Sequence, residues 1–347
     1  MLVEQRRLVV DLAATSRNWA LTPDGEARLV AEAPAGWKVD IVRAPTSSDG
    51  DGPPDGSEEA MRLIPQAEAY FGFGITADLF RAAHGLQWVH SAAAGVGNVL
   101  KSGIADGDVA LTNSAGIHGP PIGEFVVAGI LYFMRGFDVV VDQQQRSEWS
   151  KAFFVADDSP LREVRGSRIL IVGTGGLGSE AALRLTSLGA TCIGIRRRPA
   201  LGAPEGFAAV AGMADLESEL SRADVLVLAA PLTPDTAELM TRAQLGRLPR
   251  HAIVVNVARG AMLDEEALAD MLEANQLRGA VLDVFREEPL ATSSRLWQLR
   301  SALVAPHVSP VSPGRFWPRQ LDLFLDNWRR YAAGQPLRNL VDKQAGY

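Results

Sequence analysis

The chain has 347 residues, 47% of them apolar, a formal net charge of -7 and one cysteine. The length exceeds one ordinary domain and the apolar share excludes disorder, so two domains with full cores are expected. A net negative charge excludes a general affinity for nucleic acid or for an anionic membrane surface.

Cys192 stands alone, which rules out an internal disulfide and suits a reducing cytosol. The longest apolar run, near Phe125 to Met134, is too short to span a bilayer. Asp11 interrupts the apolar residues that follow Arg6 and Arg7, which argues against a signal peptide. The expected location is cytoplasmic, with no membrane or nucleic-acid partner and no metal.

Short apolar runs at 8–11, 39–42, 69–72, 87–90 and 109–112 predict strands, with helices at 24–32, 57–64 and 77–83 between them. That alternation predicts a parallel sheet in a flavodoxin-like domain. The Asp-, Gly-, Pro- and Ser-rich run 45–57 reads as an exposed loop without chemistry. A longer helix from about 121 to 137 follows. Six strands are then expected, at 169–172, 191–195, 225–230, 252–256, 279–283 and 302–305, the number in a complete Rossmann sheet. In the tail, 320–333, Leu321, Leu325 and Trp328 share one helical face. Packing of that face on the first domain would make the domain discontinuous. The expected fold class is therefore α/β, with a Rossmann dinucleotide-binding domain at 115–313 inserted into a flavodoxin-like domain at 1–114 and 314–347.

The passage from Arg168 to Arg198 holds the strongest local signal. A β-branched strand leads into Gly173, Gly175 and Gly178, and then into a helix with Leu177, Ala181, Leu185 and Leu188 at helical spacing, closed by Gly189. A dinucleotide pyrophosphate needs this arrangement. The first glycine permits the tight turn, the second lets the backbone approach the phosphates, and the third lets helix and strand pack closely. The helix start, with Gly176 and Leu177, offers unpaired N–H groups to the anion. An acidic residue usually ends the second strand to hold the ribose 2′-hydroxyl. Here Arg196, Arg197 and Arg198 stand there instead. A 2′-phosphate suits them better, so NADPH is expected ahead of NADH.

Ligands of an open α/β sheet gather beyond the carboxyl ends of its strands. After the later strands come Pro231 to Thr236, Val257 to Gly260, Asp283 to Glu288, and His307. Each of Arg259, Glu288 and His307 alone could be an ordinary loop residue. Together, on the edge that holds the phosphate turn, they have the chemistry to reduce a 2-oxo acid. Histidine titrates near neutrality and can protonate an alkoxide. A carboxylate on the imidazole fixes its tautomer, and a guanidinium grips a carboxylate in a fork.

These residues resemble the D-isomer-specific 2-hydroxyacid dehydrogenase family. The matching motifs are Val172-Gly-Thr-Gly-Gly-Leu-Gly178, Pro231-Leu-Thr-Pro-Asp-Thr236, Asn256-Val-Ala-Arg-Gly260, Leu282-Asp-Val-Phe-Arg-Glu-Glu-Pro-Leu290 and Ala305-Pro-His307. The resemblance implies that Arg259 binds the substrate carboxylate and carbonyl, that His307 is the acid/base and that Glu288 pairs with it. It implies contacts from Asp283 and the Val257 carbonyl to the nicotinamide carboxamide, and a place for Pro231 and Thr236 beside the cofactor. Ser91-Ala-Ala-Ala-Gly-Val-Gly97 looks like the family's substrate loop, where the N–H groups of Ala94 and Gly95 would hold the carboxylate. Gly97 stands where the family usually has Asp. Asn113 to His118 and Glu124 resemble its domain crossing, with His118 a hinge or interface residue. His84, His90 and His251 read as structural, and Trp149 and Trp317 as core aromatics ahead of pocket walls.

The resemblance also implies a homodimer through the region around 113–144, and a substrate that enters between domains which close on it. The expected activity is NADPH-dependent reduction of a small 2-oxo acid to its D-2-hydroxy acid, glyoxylate and hydroxypyruvate being the first candidates. The competing expectation from another class is a dinucleotide-sensing protein without catalysis. Loss of Arg259, Glu288 or His307 would mark it, and all three are present. A formate dehydrogenase is a further alternative, disfavoured by the surroundings of the histidine.

Overall fold

The computed structural model describes residues 5–17, 19–46 and 56–346. Most of the loop expected at 45–57 lies outside the described residues. The chain divides into two compact units, Met1–Ile117 with Ser312–Tyr347, and His118–Val311.

In the first unit five strands, β1 (Arg6–Asp11), β2 (Trp37–Ile41), β3 (Ala69–Gly72), β4 (Trp88–Ser91) and β5 (Ala110–Thr112), alternate with α1 (Pro23–Ala31), α2 (Glu58–Leu63), α3 (Ala77–Ala82) and α4 (Gly97–Leu100). The strands pair in parallel in the order β2-β1-β3-β4-β5, the flavodoxin-like order. Helix starts follow local chemistry. Thr22, Ser57 and Thr76 each accept a hydrogen bond from a backbone N–H three residues on, which satisfies a donor that the helix itself cannot pair.

The second unit opens with α5 (Gly119–Met134), α6 (Phe137–Gln145) and α7 (Ala152–Val155). It continues through β6 (Arg168–Val172), α8 (Gly176–Ser187), β7 (Thr191–Ile195), β8 (Ala209–Ala211), α9 (Leu216–Leu220), β9 (Val225–Leu228), α10 (Arg242–Leu245), β10 (Ile253–Asn256), α11 (Glu265–Glu273), β11 (Gly279–Leu282) and β12 (Ala302–Val304). The sheet order is β12-β11-β10-β9-β6-β7-β8, with every pairing parallel. Its strands are covered on both faces. In β6, Ile169 and Ile171 enter one core while Leu170 and Val172 enter the other, and Val225/Val227 and Leu226/Leu228 divide in the same way in β9. Two-sided burial is why these strands read as unbroken apolar runs.

Two expectations need correction. The second sheet has seven strands instead of six, because β8 was not anticipated. It is three residues long, partly exposed and on the sheet edge, and its run at 207–211 is mostly alanine, a residue with little preference for strands. The helix expected over 121–137 is α5, which ends at Met134, and α6, which follows it, lies beyond that expectation. Gly136 takes a left-handed conformation, φ +73, and turns the chain between α5 and α6. Close packing explains the other glycines of α5. A Cβ at Gly123 would come within 3.0 Å of the Glu180 backbone, and one at Gly129 within 2.7 Å of Val281, so α5 lies against α8 and the sheet.

The last helix, α12 (Phe316–Ala332), returns to the first unit. Phe324 stacks on Phe71 with ring centroids 4.0 Å apart and on Trp88 at 5.5 Å, and Leu321, Leu325 and Trp328 share the same core. Burial of each such side chain contributes roughly 1.5–3 kcal/mol. Among the described residues no helix is long and apolar enough to cross a membrane.

Candidate active site

The phosphate turn runs from β6 into α8. At Gly173, φ is +99, and a Cβ there would lie 2.6 Å from the Ala230 nitrogen. A Cβ at Gly178 would overlap the Gly173 carbonyl oxygen, so only glycine lets helix and turn meet. Gly175 differs: nothing lies within 4 Å of its would-be Cβ, and Gly175 and Gly176 are exposed. The turn thus presents bare backbone and a helix N-terminus to open space, which fits a dinucleotide pyrophosphate. Leu177 packs back against the core.

Beyond β7, Arg196 anchors its backbone on Ala211 and sends Nη1 to the Gly202 carbonyl at 2.8 Å. Arg197 and Arg198 are exposed. Beyond β9, the Thr236 hydroxyl donates to the Pro231 carbonyl at 2.7 Å and accepts from Thr233 N–H at 2.8 Å. That residue therefore holds the shape of the turn. Val257, buried at the end of β10, gives its N–H to Leu228.

Arg259 follows on a loop braced from below. The side chain of Asn256, fully buried, accepts from Ala258 N–H and donates to the Arg259 carbonyl at 3.1 Å each. A Cβ on Gly260 would overlap the backbone of Phe285, so this glycine seats the Arg259 loop directly on the loop that carries Glu288. Arg259 itself is half-buried, with Nη1 on the Ala258 carbonyl at 2.7 Å.

His307 Nδ1 lies 2.8 Å from Glu288 Oε2, and the other Glu288 oxygen accepts from Phe285 N–H at 2.9 Å. The carboxylate is thus fixed before it meets the ring. His307 has φ +52, a left-handed conformation that costs roughly 1–2 kcal/mol for a residue with a Cβ. Asp283 offsets that strain. Its carbonyl takes His307 N–H at 2.9 Å, and its carboxylate oxygens take Val308 N–H at 2.7 Å and Ser309 N–H at 2.9 Å. Burial raises the Asp283 carboxyl above the usual range, while these bonds pull the other way. Asp283 therefore holds the histidine loop in place, a role the sequence motif did not suggest.

Ala94 and Gly95 lie in the first unit, exposed in the loop after β4, while the other named site residues lie in the second. Gly97 opens α4 with nothing within 4 Å of its would-be Cβ, so the space around it leaves room for a larger side chain. His90 is fully buried between Thr112 and Ser114, with its pKa pulled down to about 3 by that burial. His251 pairs with Asp224 at 2.7 Å. Of the two tryptophans, Trp317 is a core residue as expected; Trp149 is 92% exposed and belongs to no core. Asn256, Gly260 and Glu265, which accepts from Arg286 N–H at 2.6 Å, support the site and were not singled out from the sequence. Among the described residues no cluster of three or more metal-binding side chains occurs.

The family model described as "D-isomer specific 2-hydroxyacid dehydrogenase, NAD binding domain" matches residues 127–309. A glycerate dehydrogenase of Methylorubrum extorquens is 30% identical over 269 residues, 77% of this chain and 82% of its own length. An NADPH-dependent glyoxylate/hydroxypyruvate reductase of Sinorhizobium meliloti, solved with NADP and sulfate, superposes with a TM-score of 0.76 at 28% identity, covering 99% of this chain and 100% of that one. A D-isomer specific 2-hydroxyacid dehydrogenase of Xanthobacter autotrophicus, solved with NADPH and MES, gives 0.77 at 28% identity, covering 98% and 99%. The chain belongs to the D-isomer specific 2-hydroxyacid dehydrogenase family, and its second unit carries that family's NAD binding domain.

Proposed function

We propose that this chain reduces a small 2-oxo acid to the D-2-hydroxy acid, with NADPH preferred and His307 as proton donor. The observation that carries the reading is the His307–Glu288 pair, 2.8 Å apart, on strand-end loops of the unit that bears the glycine turn. When bound, the reduced nicotinamide supplies the hydride that turns the substrate carbonyl into an alkoxide. With Nδ1–H donated to Glu288, the Nε2 atom of His307 carries the proton that the alkoxide oxygen takes up. Glu288 holds the orientation of this doubly protonated ring and balances its charge, and Asp283 holds the loop. Arg259 grips the substrate carboxylate and polarises the carbonyl beside it. In the first unit, the N–H groups of Ala94 and Gly95 form a second carboxylate-binding element.

Gly173, Gly175, Gly176, Leu177 and Gly178 would seat the pyrophosphate, and Pro231 and Thr236 would border it. Asp283 and the Val257 carbonyl would meet the carboxamide. Arg197 and Arg198, exposed beyond β7, would receive the 2′-phosphate, with Arg196 shaping the turn through Gly202. Two solved relatives were bound to NADP or NADPH, which supports that choice. A relative named for glyoxylate and hydroxypyruvate supports those two acids as first substrates. Exposed Phe137, Val140 and Val141 on α6 favour a homodimer with α6 at its interface.

The test is NADPH oxidation followed by absorbance with glyoxylate, hydroxypyruvate and longer 2-oxo acids. Turnover with at least one is expected, and none with any would overturn the reading. In the double variant Arg197→Glu, Arg198→Glu, KM for NADPH should rise about tenfold more than KM for NADH, the order expected for losing charge-assisted bonds. An equal rise for both would refute the 2′-phosphate role.

A further inference from the structure

Within the first unit, the loop after β5 holds the loop after β4 by two hydrogen bonds. Ser114 N–H donates to the Ala93 carbonyl at 3.1 Å, and Asn113 Nδ2 donates to the Ala94 carbonyl at 2.8 Å. These carbonyls belong to the two peptide planes whose nitrogens are those of Ala94 and Gly95. In a planar trans peptide the carbonyl and the N–H point to opposite sides. Pinning both carbonyls toward β5 therefore turns both N–H groups away from it. Ala94 and Gly95 are exposed, and among the described residues neither N–H has a hydrogen-bond partner. Adjacent N–H groups aimed the same way make a nest for one anion.

The Asn113 side chain is only 6% exposed as a residue and is used at both ends, because its Oδ1 accepts from Ala115 N–H at 3.2 Å. The Asn113 carbonyl accepts from Asn339 Nδ2 at 3.2 Å. Next to it, the Ser114 hydroxyl donates to the Ser91 carbonyl and accepts from Gln320 Nε2, at 2.8 and 2.7 Å. The pin is thus itself held by the C-terminal segment and by α12. Of the two bonds to the loop, the one from Ser114 is backbone. Only the bond from Asn113 depends on a side chain.

We propose that Asn113 is a positioning residue that aims the Ala94 and Gly95 N–H groups at the carboxylate of the 2-oxo acid, an inference that rests on the reaction proposed above. Both ends of its side chain are engaged by backbone groups of the first unit, so it acts through the loop. Its effect is therefore confined to the carboxylate and leaves the dinucleotide alone.

The experiment compares the full chain with Asn113→Ala, measuring KM for the 2-oxo acid, KM for NADPH and kcat. Oxalate is titrated in parallel as a non-reacting carboxylate, with NADPH present. KM for the 2-oxo acid and the oxalate Kd should rise about tenfold, as for loss of a hydrogen bond to a charged group, with KM for NADPH unchanged. Unchanged carboxylate affinity would overturn the proposal, and so would an equal rise for NADPH, which would mean general damage. Should Asn113→Ala not fold, Asn113→Ser decides by the same readings. Its hydroxyl can still cap the Ala115 N–H but is too short to reach the Ala94 carbonyl. If the wild type binds oxalate and either variant weakens it, yet no 2-oxo acid turns over, the reaction reading fails while the role of Asn113 stands.

Discussion

Gly173 turns at φ +99 against the Ala229–Ala230 backbone, Gly178 lies under the Gly173 carbonyl, and Gly175 faces open space. The same residue type thus serves close packing at two positions and leaves bare backbone open at the third. Gly178→Ala should destabilise the second unit by more than about 2 kcal/mol, as overpacking against backbone does. Gly175→Ala should leave its thermal unfolding within about 1 °C of wild type, the mark of a substitution that meets nothing, while NADPH affinity falls. Thermal melts with and without NADPH separate these outcomes. Loss of stability in Gly175→Ala without ligand would contradict the reading. At this scale the pairing of Glu288 with His307 was legible, because strand ends of a parallel sheet face one edge and the motifs there single these two residues out. Asn256, Gly260, Asn113 and the loop-holding bonds of Asp283 could not be read in this way. Their work is done through backbone groups, whose positions a string of residue types does not give.

Among the elements, the central strands of the second sheet were the most legible because they are buried on both faces. Strands β6, β9, β10 and β11, buried along almost their whole length, announce themselves as apolar runs. Strand β8, short, partly exposed and mostly alanine, has no such mark. The break between α5 and α6 hides for another reason. Apolar periodicity runs on from Phe133 and Met134 to Val139, all buried, and only the left-handed Gly136 interrupts the helix. A lone glycine inside a helical pattern can be tolerated or can end the helix, so it does not by itself mark a stop. The return of α12 was legible, since Leu321, Leu325 and Trp328 repeat at helical spacing and required an apolar surface.

At the scale of the whole molecule, the buried His90 links stability to pH. The ordinary histidine value lies near 6.5, and burial takes His90 down to about 3. Between those values the unfolded chain binds a proton there and the folded chain does not, so stability rises with pH and is lost on acidification. The slope is roughly 1 kcal/mol per pH unit for one group. Glu32, Glu59, Glu68 and Asp326 have lowered pKa values and add acid sensitivity only near and below the carboxylate range. Urea unfolding of the first unit between pH 5 and 6.5 therefore isolates the histidine. His90→Asn, which cannot titrate, should flatten the dependence there, and parallel curves for the two proteins would contradict it.

In the proposed reaction His307, oriented by Glu288, gives the proton that completes reduction of a 2-oxo acid. Single-turnover NADPH oxidation in His307→Ala, beside a fluorescence titration of NADPH binding, tests it most directly. Wild-type NADPH affinity is expected, with the reduction step slowed at least about a hundredfold, the low end of what a positioned acid contributes. Reduction at the wild-type rate in that variant would contradict it and assign the proton to another group.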